Sequence, residues 1–72
     1  MLIEQKEFLV RFVAKVKLYH ETHNKAKEYT RSGNHSGARG LHNDAQKLGD
    51  GVTAMIPQAS DIISDNEQLA LL

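Results

Sequence analysis

The residues best suited to chemistry are the histidines and a run of cations. His20 and His23 stand three residues apart, and His42 follows later in the chain. On a helix, imidazoles at i and i+3 share a face and can ligate one metal ion, with His42 or Glu21 completing the set. If the same rings face a core, they could act as a pH switch, since protonating them would loosen the packing around them. No HExxH or Cys/His spacing accompanies them. The expectation is therefore a partly buried His20/His23 pair near one end of the fold, with these histidines only weak metal candidates and no cofactor.

A second constellation is Lys25, Lys27, Tyr29, Arg31, His35 and Arg39. Cations interleaved with an aromatic ring can hold a phosphate or nucleotide, with Tyr29 stacking on a base. The amides of Ser36 and Gly37, opening a helix, would add an anion seat. Against this, the net charge is zero, whereas strong nucleic-acid binders are usually basic overall. An anion-, nucleotide- or nucleic-acid-binding hairpin centred on Lys25, Lys27, Tyr29, Arg31 and Arg39 is the alternative reading. Gly49-Asp50-Gly51 lacks the further ligands of a calcium loop. Ser32, Ser36, Ser60 and Ser64 read as caps and turns rather than nucleophiles. No enzyme is expected.

The elements that must carry these residues follow from size and periodicity. A chain of 72 residues with no cysteine makes one domain at most and cannot use disulfides. Chains this short bury only about 60% of their unfolded surface, so added stability must come from self-association, a partner, or a histidine and carboxylate metal site. Residues about 2–31 read as one helix, because Leu9, Phe12, Val13, Val16, Tyr19, His20, His23 and Thr30 recur at steps of three and four. A turn at about 32–35 follows, where Gly33 can adopt the left-handed conformation and Asn34 or Ser36 can cap the next helix.

The second helix, about 36–56, carries a cleaner heptad stripe: Ala38, Leu41, Ala45, Leu48, Val52 and Met55, continued by Ala59, Ile62, Asn66 and Leu69, with Ile56 and Ile63 widening it. Pro57 removes a backbone donor and costs about 3 kcal/mol inside a helix. The expected outcome is a helix ending near Ile56 and a further helical segment at about 58–70, a kink being the other solution. The fold class is all-α: an antiparallel helical hairpin with a Pro-kinked or separate short C-terminal helix, assembled into a helical bundle. The Arg31–Asn34 break followed by a heptad helix resembles small co-chaperones of type III secretion needle subunits. Leu41-His42-x-x-Ala45-x-x-Leu48 is similar to a segment of plasmid-encoded RNA-binding hairpin dimers. Neither likeness transfers a functional residue.

Surplus apolar surface points to function. Ile3, Val10, Ala14 and Leu18 lie around the first helix from its stripe, and the chain ends Leu69-Ala70-Leu71-Leu72. One hairpin partner cannot cover both faces, so Ile3, Val10, Leu18, Leu69 and Leu72 are the expected partner-binding residues. Charge is segregated as well. Residues 1–47 hold all nine Lys and Arg against Glu4, Glu7, Glu21, Glu28 and Asp44, leaving +4, and residues 48–72 hold Asp50, Asp61, Asp65 and Glu67 for −4. There is no basic start followed by an apolar run, and no membrane-length apolar stretch, so the cytoplasm is the expected location. The leading expectation is a small non-enzymatic protein-interaction module of adaptor, inhibitor or co-chaperone type. It would pack helices with itself, as a homodimer or higher oligomer, or with another protein.

Overall fold

The structure, a computed structural model, describes the backbone of residues 1–71 and the side chains of residues 1–67. It contains two helices, α1 (Ile3–Arg31) and α2 (His35–Leu71), and no strand among the described residues. They pack antiparallel as a hairpin, with His23 of α1 beside His42 of α2 near the turn and Gln5 beside Asn66 near the open end.

The turn is built by local hydrogen bonding. Gly33 has φ +84°, a region that only glycine enters without strain. Its N–H donates to Thr30 O at 3.2 Å and the Asn34 N–H donates to Tyr29 O at 2.9 Å, which together make a Schellman closure of α1. Asn34 then opens α2: its Oδ1 accepts the Gly37 N–H at 3.0 Å. Of the two possible caps, Asn34 is the one used. At the other end of α1, Gln5 Oε1 accepts the Leu2 N–H at 3.2 Å, satisfying one donor that the first turn leaves free.

Between the helices runs a heptad seam. On α2 it is Ala38, Leu41, Ala45, Leu48, Val52, Met55, Ala59, Ile62 and Asn66, every one buried or half-buried. On α1 it is Gln5, Leu9, Phe12, Val16, Tyr19, His23 and Ala26, again all buried or half-buried. Assigning Leu9, Val16 and His23 to position a and Phe12, Tyr19 and Ala26 to position d places α1 in the same register as α2, whose a residues are Ala38, Ala45, Val52, Ala59 and Asn66. Glycines on the flank admit two tyrosine rings. A Cβ added at Gly37 would lie 2.7 Å from Tyr29 Cδ2, and one added at Gly49 would lie 3.1 Å from Tyr19 Cε2. The seam closes on a polar layer: Asn66 Nδ2 donates to Gln5 Oε1 at 3.5 Å and to Ile62 O at 2.7 Å. A polar residue at an a position penalises shifted registers.

Two expectations are corrected. The second helix does not end near Ile56 with a separate segment at 58–70: α2 runs unbroken from His35 to Leu71 with Pro57 inside it. The molecule is 55 Å long, the length that 37 residues reach in a straight helix at about 1.5 Å each, so no sharp kink shortens it. Pro57 occupies position f, farthest from the seam, and is exposed. The Thr53 carbonyl that loses its donor therefore faces water, while Val52, Met55, Ala59 and Ile62 hold the seam on both sides. Val13, read from spacing as part of the stripe, sits at position e and is 63% exposed.

Two sets of substitutions test this packing. Pro57→Ala restores a backbone bond on an exposed face and is expected to raise unfolding free energy by up to about 3 kcal/mol. Gly40 has open space where a Cβ would go, so Gly40→Ala is expected to stabilise by about 0.8–1 kcal/mol. Gly37→Ala is expected to lose that gain to the Tyr29 ring. Chemical denaturation followed by far-UV circular dichroism reads all three, and equal gains at Gly40 and Gly37 would refute the close approach.

Candidate functional site

Heptad geometry decides which side of the hairpin each remaining residue occupies. In an antiparallel pair, position e of one helix flanks position e of the other, and g flanks g. The g side is covered in part: Tyr29 lies on Gly37 and the Lys15 Nζ lies 3.7 Å from a Cβ at Gly51, while Thr22 and Asp44 line one shallow depression with Leu18, Lys25, Leu41, Lys47 and Leu48. The e side near the open end is apolar and uncovered. It carries Val13 on α1 and Ile56 and Ile63 on α2, the two isoleucines being about half exposed. Phe12, Ile56, Ala59 and Ile63 line a groove there, rimmed by Ser60, Ser64 and Glu67. Next to it on α1, Met1, Lys6, Leu9, Val10 and Val13 line a second depression. Ile3 and Val10, at position b, continue this surface around α1, with 76% and 61% of their areas exposed.

Little apolar bulk is hidden elsewhere. The buried apolar residues among those described are Ala26, Ala38, Ala45, Ala59 and Ile62, and no large side chain is fully buried. The accessible surface is 5599 Å², against about 4,450 Å² for a compact monomer of 8.0 kDa by the usual scaling with mass. The radius of gyration is 16.3 Å, against about 11 Å for a compact domain of this length.

Of the residues expected to bind a partner, Ile3 and Val10 lie on this open face. Leu18 is exposed too, but on the g side, in the depression with Asp44 and Lys47. Leu69 and Leu72 lie outside the described side chains. Spacing alone does not place Val13, Ile56 and Ile63 on a partner surface. Ile56 and Ile63 are seven residues apart, one position beyond the d residues Met55 and Ile62, and that offset was the available signal.

The anion-binding set does not gather on one side. Lys27 at e, with Arg31 and Arg39 at b, falls on one side of the hairpin tip. Lys25 and Tyr29 fall on the other, where the Tyr29 ring is laid against Gly37. The amide seat proposed at Ser36 and Gly37 is partly used, since the Gly37 N–H is held by the Asn34 side chain.

The histidines form an aromatic row rather than a ligand set. The Tyr19 and His23 rings stack with centroids 5.9 Å apart, His23 meets His42 edge-on at 6.3 Å, and His20 lies 5.5 Å from Tyr19. His23 is half-buried, and His20 and His42 are exposed. Among the described residues no three His, Asp or Glu side chains converge as metal ligands, and no buried side-chain polar atom lacks a hydrogen-bond partner. No described helix is long and apolar enough to cross a membrane.

The chain matches no protein-family model, no curated protein and no solved structure.

Proposed function

We propose that this chain is a small non-enzymatic protein-interaction module, of adaptor, inhibitor or co-chaperone type, acting through helix–helix packing as an oligomer or complex subunit. One observation carries the reading: two helices of a 55 Å rod leave Ile3, Val10, Val13, Ile56 and Ile63 exposed together near its open end. Contiguous apolar surface on this scale marks an interaction site rather than ordinary solvent-facing residues. The chain exposes roughly 1,100 Å² more than a compact monomer of its mass, and a standard protein interface buries about 800 Å² per partner. The surplus is thus large enough to form one interface. The cysteine-free sequence fits a reducing cytoplasm, the setting proposed for it.

The reading is tested by charge insertion. Val10→Glu and Ile63→Glu touch exposed positions, so helicity is expected to survive while association is weakened by tenfold or more, about 1.4 kcal/mol. Sedimentation equilibrium for self-association, or titration against an isolated partner, measures the loss. An isolated chain that stays a cooperative, stable single copy, binds no protein and is unaffected by both substitutions would refute it.

A further inference from the structure

The interaction reading leaves the partner open, and the charges beside the apolar face bear on who it is. On the e side of the open end α1 presents Lys6 at position e and Lys17 at b, whereas Arg11, Glu4 and Glu7 lie at c and f and Lys15 lies on the g side against Gly51. On the same side α2 presents Glu67 at position b and no base, whereas Asp50, Asp61 and Asp65 lie at f, c and g. The apolar strip of e residues therefore has a basic edge of Lys6 and Lys17 on α1 and an acidic edge at Glu67 on α2. Two of these charges border it directly: Lys6 lines the depression with Leu9 and Val13, and Glu67 lines the groove with Ile56 and Ile63.

Resting on the interaction-module reading, we propose that the occupant of this face is a second copy of the chain. The two copies would dock open end to open end about a two-fold axis parallel to the hairpin, forming a four-helix bundle over that half. Four observations converge on this arrangement. A surface with a basic edge and an acidic edge is complementary to itself when rotated about that axis, because α1 of each copy then lies beside α2 of the other. Lys6 of one copy falls within about a helical turn of Glu67 of the second. Every adjacent pair of helices runs antiparallel, which also opposes their dipoles. The apolar strips, both at the open end, meet at the same height, with Val13 of one copy level with Ile56 of the other.

The alternative two-fold, perpendicular to the rods, is disfavoured. To superimpose the same two strips it must set α1 beside α1 or α2 beside α2. That places Lys6 and Lys17 beside the same residues of the second copy and Glu67 beside Glu67, and like charges juxtaposed across an interface oppose docking. Zero net charge removes long-range repulsion between copies. The excess surface of roughly 1,100 Å² matches what each copy of a dimer gives up.

The absence of cysteine allows a clean test, since every thiol is an introduced one. Val13→Cys and Ile56→Cys are made as separate full-length variants, mixed in equal amounts and oxidised, alongside sedimentation of the unmodified chain. A disulfide needs Cα atoms within about 7 Å, a separation available between neighbouring helices of a bundle and not across its diagonal. The expected result is a dimer in sedimentation and a cross-link joining Val13→Cys to Ile56→Cys, with each variant alone cross-linking poorly. Adding Ile63→Glu to both variants is expected to abolish the cross-link while helicity remains.

A dimer in which each variant cross-links to itself overturns this arrangement and leaves the interaction reading standing. A chain that is a single copy at every concentration overturns the second copy. If that chain still loses binding to an isolated different protein on Val10→Glu, the interaction reading survives without self-association. If it binds nothing, both fall.

Discussion

A single antiparallel seam holds this molecule together, and its buried points are mostly alanine. Ala26, Ala38, Ala45 and Ala59 are its buried points, joined by Ile62. Small side chains let two backbones approach closely, but each removes little apolar area from water, and burial scales with area at about 25 cal/mol per Å². The larger residues of the seam, Phe12, Val16, Leu41, Leu48, Val52 and Met55, are only half-buried. With two layers of helix there is nothing behind them. The seam therefore orients the helices well and encloses them poorly, and the remaining features of the surface follow from that.

The two flanks of the seam are covered unequally. On the g side, glycine on α2 meets tyrosine on α1, as at Gly37 and Tyr29, so the ring covers the edge of the seam. On the e side near the open end, the side chains are Val13, Ile56 and Ile63, branched and apolar, and they point past one another into solvent. Toward the turn the e side changes character. His20, Lys27 and His42 replace the aliphatic residues there, and the Tyr19–His23–His42 row occupies the neighbouring seam. The rod is thus apolar on one flank at one end and polar at the other.

Much of the fold is legible in the residues themselves. The heptad of α2 persists without a phase error from Ala38 to Asn66, and Gly33 with Asn34 supplies both the positive φ and the following cap. These features are local, so spacing and residue type are enough to find them. Pro57 is different. Its local preference is to end a helix, and the heptad that continues beyond it is a tertiary preference. Packing of Val52, Met55, Ala59 and Ile62 against α1 prevails because Pro57 faces water at position f.

The candidate site divides the same way. By itself the sequence determined that α1 has more apolar surface than one neighbour can cover, and it identified Ile3 and Val10 as part of the surplus. Which side of the hairpin each exposed residue joins was decided only by tertiary structure. Periodicity locates a face on one helix, but whether two faces merge depends on the direction and register in which the helices pair. That pairing sends Leu18 to the side of Asp44 and Lys47, turns Val13 out of the seam, and brings it level with Ile56 from the far half of the chain.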